Sequence, residues 1–339
     1  MSQTTPPGIS VRVDPTNPGQ FFACCGLLEL ADRLWGGVEG WFENDEGEFV
    51  VTAPAARLDI QELILKLVCA RLSSDLTPSL QCERQKLEKK KRELKKPGKE
   101  LPKAEEQRRN DLGKLLREGP ISIGKPFDYV LDWWLNQKER GLFSAICAGN
   151  VSAIGQKQQE LDDDEIPKTW AGTQQVLRIA QAALLDTLGA FKTNQPFDFK
   201  CVMRPAPDHI EEEEPTTGKR RGKRKAKNKV EPFYFDSRHG ANALPLDIGF
   251  SPNELGMESE AFPAVELLCL IGLQRCRPNL TNTSLVFEYF TWSSPLSVSV
   301  LPAAVGGFLG QDCGYRFENA YRTDQRKHSG YLPAFLFRR

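Results

Sequence analysis

Apolar side chains recur at helical spacing through Pro18 to Trp35 (PGQFFACCGLLELADRLW) and again through Asp59 to Leu72 (DIQELILKLVCARL), so both stretches predict helices. Asn17 is a good N-cap, Pro18 suits the first turn, and Gly36-Gly37 suits the far end of the first helix. Projected at about 100° per residue, this helix gathers Ala23, Cys24, Leu27, Leu28, Leu30, Ala31, Leu34 and Trp35 on one broad face. Glu29, Asp32 and Arg33 fall opposite, and Cys25 at the edge. Gly26 lies on the far side, where another backbone could come close. Adjacent helical cysteines point about 100° apart, which suits neither a disulfide between them nor joint metal chelation. Cys24 and Cys25 therefore read as packing.

Short alternating runs predict strands at Ile9–Val13 and Gly47–Thr52. Further strands are expected in ISIGKPFDYVLDWW, with Trp133 and Trp134 on opposite sides, and in FDFKCVMRP from Phe197 to Pro205. Helical patterns return at Thr173–Phe191 and in the wholly apolar Phe262–Leu273, where Glu266 is the one polar residue. The end of the chain is β-rich, with SLVFEYFTW, LSVSVL and YLPAFLF favouring strands. Strands alternating with helices predict an α/β or α+β fold with a mixed sheet core, and a ferredoxin-like, RRM-like arrangement is one form that this order allows.

Two stretches break the pattern. Residues 79–119 include ERQKLEKKKRELKKPGKELPKAEEQRRNDLGKLLRE, whose two helical halves, joined at Pro97-Gly98 and ended near Gly119-Pro120, predict a basic helical hairpin. Only Leu87 and Leu94 mark an apolar stripe on its first half. Residues 206–231 hold both EEEE and GKRRGKRKAKNK with little to fold around, so a disordered loop is expected. Residues 1–78, 120–205 and 232–339 then read as successive parts of one core that carries these two insertions.

Composition adds limits. The 339 residues contain 45 basic and 45 acidic side chains, so net charge points to no partner. The nine cysteines include no Cys-x-x-Cys pair, and MSQTTPPGIS lacks the regions of a signal peptide, so a reducing, cytoplasmic setting is expected. The longest apolar stretch, Ala261–Leu273, is too short to cross a bilayer, so no membrane association is expected.

Candidate chemistry is sparse. His209, His239 and His328 stand far apart with no paired spacing, so neither a metal site nor a cofactor is expected. Gly306, Gly307, Gly310 and Gly314 could form a phosphate nest or simply a tight loop. In PFYFDSRHG, Asp236, Ser237, Arg238 and His239 follow a strand, and His239 could act as the acid or base of a metal-independent ribonuclease. The same residues are ordinary turn formers.

Charge distribution says more. Lys89, Lys90, Lys91, Arg92, Lys95 and Lys96 crowd the first half of the hairpin, either as a solvated face or as a polyanion contact. Lys219, Arg220, Arg221, Lys223, Arg224 and Lys225 open a basic run without an acid. Near the end, Arg316, Arg322, Arg326 and Lys327 interleave with Tyr315, Phe317, Tyr321 and Tyr331, residue types that grip backbone and stack on bases. Together these favour nucleic acid over a small-molecule substrate.

The stretches NPGQFFACCGLLELADRLW, AVELLCLIGLQRCRP and PFYFDSRHG resemble segments of subunits of type I-U (also called I-G) CRISPR-associated effector complexes, in particular their smaller Csb-type protein. The resemblance implies a Cascade-like ribonucleoprotein of antiviral defence. Its partners would be CRISPR guide RNA, target DNA and the backbone and capping subunits, with cleavage left to a helicase-nuclease recruited in trans. It assigns no catalytic residue. The alternatives are a guide-RNA-processing ribonuclease using His239 and a scaffold without nucleic-acid contact.

Overall fold

A computed structural model describes residues 8–43, 47–54, 56–74, 78–94, 101–135, 166–170, 174–193, 195–206, 229–240, 260–311, 313–321 and 329–338. Strand β1 (Ile9–Arg12) leads into helix α1 (Pro18–Trp35), whose ends fall where its capping residues place them. Asn17 accepts from the Gln20 amide, and Gly36 closes the other end at a φ of 73°. Strands β2 (Glu39–Glu43) and β3 (Glu48–Thr52) follow, with β3 between β1 and β2 and antiparallel to both. β1 and β2 therefore run parallel, and β1, α1 and β2 make a split βαβ unit around β3. β9 (Leu296–Ser297) extends this sheet at the β2 edge.

The fold is mixed, with helices and several antiparallel sheets, as the alternating elements predict. A second βαβ unit, needed to complete a ferredoxin-like fold, is not formed among the described residues. After helix α7 (Pro263–Arg275) the chain instead enters a separate antiparallel sheet. Its strands are β7 (Asn279–Leu280), β8 (Val286–Tyr289), β10 (Cys313–Tyr321), β11 (Ser329–Tyr331) and β12 (Phe335–Arg338). β10 is central, bonded to β8 on one side and to β12 and β11 in turn on the other.

A third sheet joins β4 (Leu72–Ser74), β5 (Ile121–Ile123) and β6 (Tyr129–Leu131). β4 follows helix α2 (Ile60–Ala70), and its partner β5 arrives only after helices α3 (Pro78–Glu93) and α4 (Lys103–Glu118). The charged hairpin thus occupies the connection between two paired strands, so its root is fixed by the β4–β5 ladder. Helix α5 (Val176–Ala190) packs against α7 and β4.

At the centre α1 and α7 cross in backbone contact. A Cβ on Gly26 would stand 2.0 Å from the Leu268 carbonyl oxygen, and one on Gly272 2.0 Å from that of Phe22. The far side of α1 is therefore the place of close approach that Gly26 predicts. Both helices are buried from several directions, and one apolar cluster spans Ile9 to Ala334. Cys24 and Cys25 belong to that cluster, with burial pushing both thiols well up and neighbouring Cys276 adding to the rise at Cys25. The pair is packing, and it offers no thiolate.

Several expectations are corrected. Glu29, which falls opposite the apolar face of α1, is itself buried and accepts from Arg33 (2.7 Å) and Arg275 (2.5 Å), which approach from the end of each helix. Trp133 and Trp134 follow β6 in a turn and are both buried, edge to face at 5.7 Å. Their indole N–H groups donate to Leu270 and Glu118 carbonyls. FDFKCVMRP forms a short 3-10 turn at Pro196–Asp198 and a single bridge, Cys201 to Ala261, in place of a strand. LSVSVL divides into β9 and the start of a short helix, α8 (Leu301–Val305). No described helix is long and apolar enough to cross a membrane.

Candidate nucleic-acid interface

Helix α3 forms from residues of good helix propensity, and its six basic side chains outnumber three acidic ones. Helix α4 carries five basic and four acidic side chains. The two pack through Leu80, Leu112 and Leu115, with Leu87 and Leu116 at the margin. So small an apolar seam leaves charges to set the register. Lys90 meets Glu105 at 2.6 Å, Lys91 meets Glu106 at 2.8 Å, Arg108 meets Glu83 at 2.9 Å, and Arg109 meets Glu88 at 2.7 Å. Arg109 and Lys91 hold the Glu106 carboxyl down at about 2, and Arg109 lowers Glu88 as well.

This ladder divides the basic cluster. Lys90 and Lys91 are matched by carboxylates of α4, so they belong to the hairpin itself. Lys86, Lys89 and Arg92 recur at three-residue spacing, are exposed, and form no ion pair among the described residues. They make a cationic stripe along the exposed side of α3, with Lys86 bordering the groove that it forms with α4. Lys86 stands outside the KKKR run that draws the eye in the sequence, and its spacing to Lys89 and Arg92 is the signal that finds it. Lys95 and Lys96 lie outside the described residues, as do Lys219, Arg220, Arg221, Lys223, Arg224, Lys225, Arg322, Arg326 and Lys327. The acidic run Leu161–Glu165 also does, and so does most of the 206–231 loop, whose ends are joined by the Val230 amide donating to the Met203 carbonyl (2.9 Å).

The C-terminal aromatic set is mostly core. Phe317 and Tyr331 are buried, and the Tyr331 hydroxyl donates to the Pro167 carbonyl. Tyr315 stacks on Tyr289 at 5.5 Å. These rings fill the inner side of β10, so Phe317 and Tyr331 cannot serve as base-stacking platforms. Arg316 lies opposite Glu288 in the β10–β8 ladder and donates to it from Nε at 2.9 Å. Its guanidinium also sits 4.9 Å from the Phe337 ring. The charge of Arg316 is therefore matched within the sheet.

The Asp236 segment is a structural clasp. Asp236 is buried and accepts from Asn17 Nδ2 (2.8 Å) and from Arg238 Nη2 (2.7 Å). Arg238 lies 3.4 Å from the Phe262 ring centre and donates to the Phe197 carbonyl. Glu266, on α7, is wholly buried and accepts from the Phe235 and Asp236 amides at 3.4 and 3.2 Å. Burial drives its pKa up to about 8, with the nearby Asp236 carboxylate adding to the rise and the amides opposing it. This holds Phe235 and Asp236 against the starts of α1 and α7. His239 lies in the short helix α6 (Ser237–Gly240), and its side chain is outside the described residues. Of the glycine run, Gly307 and Gly310 adopt positive φ in a turn, while Gly314 packs its backbone against Phe290. Among the described residues no three His, Cys, Asp or Glu side chains gather as a metal cage.

No protein-family model matches the chain, and neither a curated protein nor a solved structure matches it significantly.

Proposed function

We propose that this protein is a non-enzymatic nucleic-acid-binding subunit of an RNA-guided CRISPR surveillance complex, holding the phosphate backbone of guide RNA or target DNA. The observation that carries the binding half is the unmatched stripe Lys86, Lys89 and Arg92, exposed on a hairpin whose inner lysines are already paired. Cations that no ion pair holds can displace the counterions condensed on phosphates, which gives affinity without reading sequence. The complex, with its backbone and capping subunits and the helicase-nuclease in trans, rests on the resemblance of the Asn17–Trp35 and Ala264–Pro278 segments.

The ribonuclease alternative asks for His239 beside a group that stabilises a phosphorane, and the adjacent Arg238 is engaged with Asp236 and with Phe197. The binding reading is tested with Lys86→Gln, Lys89→Gln and Arg92→Gln together, titrated with single-stranded RNA and duplex DNA across a salt series. A loss of affinity with a flatter salt slope supports it. Isotherms unchanged from wild type remove the stripe from any role in binding.

A further inference from the structure

The root of the hairpin holds an arrangement the charge ladder leaves unresolved. Opposite Gly113 of α4, two arginines converge: a Cβ at Gly113 would stand 3.4 Å from Arg117 Nη1, 3.7 Å from Arg84 Nε and 3.8 Å from Arg84 Nη2. The two guanidinium groups therefore lie within ~7 Å of one another, where like charges repel. Every other arginine named in the ladder faces a carboxylate at hydrogen-bond distance. Arg84 reaches only Glu88, at 4.0 Å, and Glu88 is already held by Arg109 at 2.7 Å. Arg117 has neither ion pair nor hydrogen bond among the described residues, and the Nε atoms of both Arg84 and Arg117 are shielded from water without an acceptor. Arg109 Nε, one turn further along, is in the same state.

An anion with several acceptor oxygens at the open outer ends of the two forks would cancel the repulsion. A phosphate group fits this need, because planar guanidinium forks pair with its oxygens in a bidentate manner. Gly113 matters for the same reason: a Cβ there would already touch both forks, so a side chain longer than alanine's would push them apart.

We infer that Arg84 and Arg117, over Gly113, form a phosphate-binding clamp at the root of the hairpin. The clamp rests on the proposed nucleic-acid reading only in the source of its ligand. In that reading it takes one phosphodiester of a strand that runs on along Lys86, Lys89 and Arg92. Inorganic phosphate shares the chemistry, so the test separates the two sources.

The experiment uses the full chain and three variants: Arg84→Gln with Arg117→Gln, Arg117→Lys alone, and Gly113→Leu. Thermal melting is followed in sodium phosphate and in sodium chloride of equal ionic strength, and a single-stranded RNA oligonucleotide is titrated over a salt series. The clamp predicts that phosphate raises the wild-type melting temperature and that both the double variant and Gly113→Leu lose that rise. It predicts that oligonucleotide affinity falls roughly tenfold in the double variant, with the salt slope lower by about 0.7 for each phosphate no longer neutralised. Arg117→Lys keeps the charge but not the fork, and should lose affinity to a smaller degree; it also stands in if the double variant does not fold. Melting that responds equally to phosphate in all four proteins, with oligonucleotide affinity unchanged, overturns the clamp. If in that case the Lys86, Lys89 and Arg92 variant still loses affinity, the clamp falls and the binding reading survives. A phosphate response confined to clamp-intact protein, without oligonucleotide binding, keeps the clamp as a free-phosphate site and overturns the nucleic-acid reading.

Discussion

Gly26→Ala places one methyl group where two buried helices touch through their backbones. The new Cβ would stand 2.0 Å from the Leu268 carbonyl oxygen and 2.9 Å from the Gly272 nitrogen, and neither atom can swing aside as a side chain could. To relieve the clash the helices must part by more than ~1 Å, a gap that forfeits a quarter to a half of the dispersion energy along their facing surfaces. Overpacking a core generally costs ~1–3 kcal/mol. Because α1 and α7 are buried over almost their whole length, a cost at or above the top of that range is expected, ~3–5 kcal/mol. Gly37→Ala is the control: its φ is 64° and nothing lies within 4 Å, so the substitution introduces only left-handed strain of ~1 kcal/mol. Urea unfolding followed by circular dichroism, with matched slopes, gives both values. If Gly26→Ala costs no more than Gly37→Ala, the close crossing of α1 and α7 is refuted.

Two further outcomes follow from particular side chains. Glu266 has a folded pKa of about 8, above the ordinary 4.5, so the native state retains a proton that the unfolded chain releases. Its contribution to stability is full below the unfolded value and is lost as pH rises toward 8, at ~1.4 kcal/mol per pH unit within that window. Glu266→Gln should remove this slope, read from urea midpoints at several pH values; identical slopes in the two proteins would refute the assignment. Glu105→Gln with Glu106→Gln frees Lys90 and Lys91 from their partners, so nucleic-acid affinity should rise and its salt slope steepen by up to about two phosphates' worth. A scaffold without nucleic-acid contact would register no change in that titration.

Local signals made much of the fold legible. Asn17, Pro18 and Gly36 bound α1 because caps act within a few residues, and the unbroken apolar run of α7 required burial wherever it lay. What could not be read was set by distant partners. Glu29 has the helical position of a solvated residue, and Arg275, 246 residues away, supplies its countercharge inside the core. The hairpin is plain in composition, yet which lysines it uses internally depends on the helix-to-helix register that brings Lys90 opposite Glu105. Phe317 and Tyr331 share their residue types with base-stacking platforms, and strand alternation in a packed sheet turns them inward. Arg316 finds Glu288 through strand pairing that no local pattern announces. The Arg84–Arg117 convergence needs the same register, because Gly113 is ordinary in sequence and meaningful only beside α3.

The most direct test of the nucleic-acid role is the salt dependence of single-stranded RNA binding by wild type and by the Lys86→Gln, Lys89→Gln, Arg92→Gln protein. Three phosphates left without a cation would lower the slope of log affinity against log salt by about 2, and circular dichroism should show the hairpin intact because none of the three residues joins the ladder. Equal slopes and equal affinities in the two proteins would contradict the central claim that this face of the hairpin holds a nucleic-acid backbone.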